Sequence, residues 1–122
     1  MSSLRKFDLL NKVAIVTGSS SGIGAAIATQ FAQYGAKVTI QGRDVKTLTK
    51  VSKQIEQVSG GDSPLQIIGD LTDGSIVKKL VNETMDKHGK LDILINNAGI
   101  GGVGTVLMDD ILEQYDRIMR LK

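Results

Sequence analysis

Apolar residues fall along the chain in four short runs: VAIVT (13–17), KVTIQ (37–41), LQIIG (65–69) and LDILIN (91–96). These runs are rich in β-branched residues and do not alternate cleanly, the pattern of strands covered on both faces. Between them, apolar positions recur with helical spacing. Ile23, Ile27, Phe31 and Tyr34 share one face after the first run, and Leu48, Val51, Ile55 and Val58 after the second. Ile76, Leu80, Val81 and Thr84 do the same after the third. A fourth helix is expected near 110–121, where Asp110 and Glu113 have capping-box spacing and Ile111, Tyr115, Ile118 and Met119 turn inward. Gly35 and Gly89 stand where helices end, and SGGDSP (59–64) reads as a loop. Strand and helix alternate four times, which predicts an α/β fold with a parallel sheet and right-handed crossovers.

Composition narrows the picture only a little. With 122 residues, 41% of them hydrophobic, the chain has material for one domain at most. It can bury a core, yet it is short for a complete doubly wound enzyme. The formal net charge is +2 with both signs interspersed, which gives no reason to propose a nucleic acid or a membrane as partner. No cysteine occurs, so disulfides and thiolate chemistry are excluded. The opening MSSLRKFDLLN lacks the apolar run of a signal peptide and no stretch reaches membrane-spanning length, so a cytoplasmic location is expected. There is no internal repeat and no set of residues with metal-ligand spacing.

The most informative segment is VAIVTGSSSGIGAAIA (13–28), which passes from strand through serine and glycine into helix. Its glycines, Gly18, Gly22 and Gly24, are spaced G-x-x-x-G-x-G rather than G-x-G-x-x-G. The physical logic is the same. Gly18 lets the chain leave the strand at dihedrals that a side chain would disfavour. Gly22 and Gly24 remove Cβ atoms where a phosphate approaches the backbone and where the helix lies close to the sheet. The helix beginning near Gly22 aims unpaired N–H groups and a positive dipole end at that space. Ser19, Ser20 and Ser21 add hydroxyl donors. A tight turn with capping serines is the competing reading, whereas a P-loop lacks its Lys-Ser/Thr pair.

TGSSSGIG resembles the cofactor turn of the short-chain dehydrogenase/reductase family, and LDILINNAG (91–99) resembles the family's fourth-strand signature. The resemblance covers residues 10–122. It implies a partial Rossmann-type doubly wound sheet of about four strands, order 3-2-1-4, with helices on both faces. Residues 1–122 would form one NAD(P)-binding domain, truncated after the fourth helix. Gly18, Ser20, Ser21, Gly22, Ile23 and Gly24 would then hold the cofactor's diphosphate. Where an acidic residue would grip the ribose hydroxyls of NAD(H), this chain has Gly42, followed by Arg43, whose guanidinium can fork onto a 2′-phosphate. That favours NADP(H) over NAD(H). The alternative for Arg43 is a solvated residue beside the stripe of Lys46, Lys50 and Lys53. The resemblance sets the Asp70 carboxylate towards the adenine amino group, the Leu71 backbone along the adenine, and Asn97, Ala98 and Gly99 along the ribose. Asn96 is expected to brace the sheet, and Thr72 and Asp73 to cap a helix.

Family chemistry also needs a tyrosine whose pKa is lowered by a lysine four residues later, because a phenol near 10 is a poor acid–base group at neutral pH. Tyr34 is followed at that spacing by Val38 and Tyr115 by Met119. The catalytic serine would fall beyond Lys122, and the place of the family's fourth-helix asparagine is taken by Lys122 itself. No catalytic residue is therefore assigned. His88 suits the end of its helix, and GIGGVG (99–104) is read as a loop. The sequence thus reads as the N-terminal part of an NADP(H)-preferring short-chain oxidoreductase, moving hydride between nicotinamide and a carbonyl or alcohol carbon but inactive in this form. The alternative is a non-enzymatic dinucleotide-binding module or a fragment that pairs with full-length relatives. Expected partners are the dinucleotide and, only if the chain continues, a small carbonyl or alcohol substrate. Self-association through an exposed fourth strand or fourth helix is a further expectation, as is marginal stability.

Overall fold

Four parallel strands alternate with three helices in the computed structural model, which describes residues 9–20 and 22–97. The elements are β1 (Val13–Thr17), α1 (Gly22–Gln33), β2 (Lys37–Gly42), α2 (Val45–Val58), β3 (Leu65–Ile68), α3 (Gly74–His88) and β4 (Ile93–Asn96). The strand order is β3-β2-β1-β4, as expected. Ile15 lies opposite Thr39 on one side and Leu94 on the other, and Gly42 lies opposite Ile68. This register brings the carboxyl ends of all four strands to one edge of the sheet. The anticipated helix near 110–121 lies outside the described residues.

Each face of the sheet buries its own core. Val16, Val38 and Ile40 pack with Ala28, Ala32, Leu48, Val51 and Ile55 beneath α1 and α2. Ile15 and Ile67 pack with Val77, Leu80, Val81 and Met85 beneath α3. Neighbouring residues in β1 therefore serve opposite layers, and all five of its residues are buried.

The inward face of α1 differs from the one its large apolar residues predict. Gly24, Ala28 and Ala32 are buried, Ile27 and Phe31 only flank the core, and Ile23 is 72% exposed. Small side chains let the helix axis come close to the strands, and the larger residues are turned towards its flanks. The other two helices follow the expected spacing more closely, except that Val58 is exposed.

Polar groups lock the ends and the middle. Asp73 caps α3 by accepting from the Ser75 N–H, and Gly89 closes it in the left-handed conformation. Asp92 holds both backbone groups of Val13: its carboxylate accepts from the Val13 N–H at 2.8 Å and its own N–H donates to the Val13 carbonyl at 2.9 Å. Burial alone would raise the Asp92 carboxyl, but the Val13 N–H and the Lys90 ammonium keep it below the usual carboxylate range. The Thr17 hydroxyl donates to Asn96 Oδ1 at 3.1 Å, so Asn96 does brace β4 against β1.

Inside the α3 layer, the hydroxyls of Thr39 and Thr84 share a hydrogen bond of 2.7 Å in a fully buried setting. Thr84→Val would leave the Thr39 hydroxyl buried without this partner. It should lower the unfolding free energy by about 1–3 kcal/mol, whereas the Thr39→Val/Thr84→Val pair should recover most of that loss. Urea denaturation of the three variants checks this.

Candidate functional site

Glycine shapes the turn that leaves β1. Gly18 has φ +60°, a backbone angle that reverses the strand into the loop and that side chains resist. Gly22 opens α1 at φ +59°, and a Cβ there would meet nothing within 4 Å. Gly24 has the opposite surroundings. A Cβ on it would strike the Gly18 carbonyl oxygen far inside van der Waals contact and come within 2.7 Å of Asn97 Nδ2. The helix thus starts pressed against the strand end, while the space before its first turn stays open.

Hydrogen bonds fix this turn from below. Ser19 Oγ is buried, accepts from the Gln41 N–H at 2.8 Å and donates to the Val16 carbonyl at 2.9 Å. The Ser19 N–H donates to the Gln41 carbonyl at 2.8 Å. Ser19 is therefore a structural residue, not the free hydroxyl donor that the run of three serines suggests. The Gly18 N–H donates to Gln41 Oε1 at 2.8 Å, and Asn97 Nδ2 donates to the Gly18 carbonyl at 3.2 Å. Both polar groups of Gly18 are engaged within the protein, so its contribution is shape. Ser20 is half-buried and faces Gly42, where a Cβ would come within 2.8 Å of the Ser20 Cβ.

The next two strand ends lie beside this turn. Arg43 follows β2 with its side chain 79% exposed, and its guanidinium is 4.0 Å from the Asp70 carboxylate beyond β3. A pair this open is weak and leaves the guanidinium available to a better anion. The Asp70 carboxyl is held below its ordinary range by the Thr72 N–H and then the Thr72 hydroxyl, with Arg43 contributing less. Leu71 sends its side chain into the core under α3, and the residue as a whole is buried. Ser21, Ala98 and Gly99 lie outside the described residues.

The helix ends at this edge are electrically unequal. None of the three helices has an acidic residue in its first turn, but Asp44 caps α2 and Asp73 caps α3, whereas the residue before α1 in the sequence is Ser21. The positive end of α1 is thus not compensated by a carboxylate at that position. Open space at Gly22, the first-turn N–H groups and a nearby guanidinium fit a phosphate-bearing ligand.

A family model for short chain dehydrogenases matches residues 12–121. The chain belongs to that family. Its members are oxidoreductases that bind NAD(P)(H). The chain is 39% identical over 108 residues to glucose 1-dehydrogenase of Gluconobacter oxydans, covering 88% of this chain and 40% of that protein. It is 38% identical over 122 residues to versicolorin reductase of Emericella nidulans, covering 99% and 45%. Among solved structures, L-sorbose reductase of Gluconobacter frateurii, complexed with NADPH and L-sorbose, superimposes with a TM-score of 0.82 at 28% identity. That match covers 95% of this chain and 50% of the reductase. The chain spans about two fifths of the length of these curated relatives.

A cleft of 360 Å³ lined by Lys37, Ile55, Pro64 and His88 contains none of the candidate residues. It lies at the opposite end of the strands. Among the described residues no cluster of His, Cys, Asp or Glu could hold a metal, and no helix is long and apolar enough to cross a membrane.

The turn's dependence on small residues predicts an order of damage. Gly24→Ala must push the helix away from the Gly18 carbonyl and should cost about 1–3 kcal/mol of stability. Gly22→Ala meets open space and should cost about 1–2 kcal/mol for its left-handed backbone alone. Thermal unfolding of both, with Gly24→Ala the less stable, checks the assignment.

Proposed function

We propose that this chain is the dinucleotide-binding part of an NADP(H)-preferring short-chain oxidoreductase. The observation that carries the reading is the meeting, at one sheet edge, of an uncompensated helix start with an exposed arginine that follows a glycine. Gly18, Ser20, Ser21, Gly22, Ile23 and Gly24 form the diphosphate turn. Gly18 and Gly24 shape it, while the first-turn N–H groups of α1 donate. Ile23 is exposed at the start of α1, open to the cofactor. Arg43 forks onto the 2′-phosphate, Asp70 and the Leu71 backbone face the adenine, and Asn97, Ala98 and Gly99 run along the ribose. NADP(H) would supply or accept the hydride that a carbonyl or alcohol carbon exchanges.

The absence of a Tyr-x-x-x-Lys spacing anywhere in the sequence supports binding without turnover by this chain alone. Under this reading the purified 122-residue chain binds NADPH at least about tenfold more tightly than NADH, the contribution of charge-assisted hydrogen bonds to the phosphate. Arg43→Ala should reduce that preference to within about threefold. Fluorescence titration of both cofactors checks it; equal affinities in the parent chain would remove the preference. Hydride transfer to any carbonyl compound by the chain alone would remove the claim of inactivity.

Preference should also resist a simple reversal. A Cβ at position 42 collides with Ser20, so Gly42→Asp alone should weaken NADPH without creating tight NADH binding. The Ser20→Gly/Gly42→Asp pair, with the obstacle removed, should favour NADH. The same titration, run on both variants, decides.

A further inference from the structure

Gln41 is a polar residue near the carboxyl end of β2, and it is 3% exposed. Its side-chain amide has two partners on two different loops. Oε1 accepts from the Gly18 N–H at 2.8 Å, and Nε2 donates to the Gly69 carbonyl at 2.8 Å. The amide's orientation is dictated by its partners, since an N–H can only donate and a carbonyl only accept. The Gly69 N–H is also engaged, donating to the Gly42 carbonyl at 3.0 Å. One side chain thus ties the loop after β1 to the loop after β3, reaching across the strand between them.

We infer that Gln41 is a positioning residue that sets the diphosphate turn and the adenine-side loop in one fixed relation. The inference rests on the dinucleotide-binding reading given above. Gln41 touches no part of the cofactor in this account. It acts by consuming the Gly18 N–H, so that the turn presents the N–H groups of α1 to the phosphate, and by fixing the Gly69 carbonyl at the start of the loop that carries Asp70. Few side chains can replace it, because the bridge needs an acceptor at one end and a donor at the other. A carboxylate satisfies Gly18 but turns a second oxygen against the Gly69 carbonyl, and an alkyl group satisfies neither.

The experiment measures NADPH binding to the purified chain and to Gln41→Leu and Gln41→Glu, across pH 5 to 8, with thermal melts alongside. Gln41→Leu should bind about tenfold more weakly at every pH, the effect of two lost hydrogen bonds. Gln41→Glu should be similarly weak at pH 8 and regain affinity relative to the parent as pH falls. Protonation restores an O–H donor for Gly69 while the carbonyl oxygen still accepts from Gly18. A residue that only stabilised the fold would move the melt without that pH profile. Variants that bind within twofold of the parent, or a Gln41→Glu profile parallel to the parent's, would overturn the inference and leave the proposed function intact. A parent chain that binds no dinucleotide would overturn both. If the variants do not fold, nuclear magnetic resonance of the parent decides. Inorganic pyrophosphate should shift the Gly69 amide signal as well as those of Gly22 and Gly24, and an unmoved Gly69 signal would defeat the coupling.

Discussion

The first helix has to begin against the backbone it has just left. At Gly24 there is no room for even one carbon beyond Cα, because the Gly18 carbonyl and the Asn97 amide already occupy that space. The rest of the site depends on this contact. It brings α1 close enough for Ala28 and Ala32 to lie directly on the core around Val16, and it sets the helix start beside the carboxyl end of β1. Asn97 reaches the same carbonyl from the carboxyl end of β4, so α1, β1 and β4 meet at one oxygen. A larger residue at position 24 would disturb all three together, and packing this dense relaxes poorly.

Charge then distinguishes three helices that all start at the same edge. Two of them receive an aspartate from the loop before them, which satisfies a first-turn N–H and offsets the dipole. The third, α1, is preceded in the sequence by Ser21 rather than an aspartate. Its neighbour Arg43 adds positive charge that the distant, exposed Asp70 pairing scarcely offsets. An anion at this edge would gain from both. The sheet brings these loop residues together by setting their strands side by side in register.

Much of this was legible in the sequence because it depends on local chemistry. Short β-branched runs, the glycine spacing, Asp73 as a cap and Gly89 as a helix terminator are statements about a few adjacent residues, and the strand order followed from the family resemblance. What escaped was set by partners distant in the chain. Ile23 and Ile27 are the obvious inward residues of α1 by hydropathy, but the need for close approach at Gly24 gave that face to glycine and alanine. Ser19 cannot be told from Ser20 by sequence, and only the approach of Gln41 separates a buried structural hydroxyl from its neighbours. Gln41 itself left one signal, an amide near the end of a predicted strand. Its two partners are 23 and 28 positions away, so no local pattern could identify them.

The adenosine side of the proposed site is assembled from the ends of β1, β2 and β3, all supported by the two cores described above. Its geometry is set by sheet pairing, by the buried amide of Gln41 and by the contact at Gly24. None of these uses a residue that would carry the proton chemistry of the family. Recognition and reaction are therefore separable in the physical sense that different residues, held by different contacts, would perform them. Under the proposed reading, a change in the first set should alter affinity for the dinucleotide without touching a group that moves a proton.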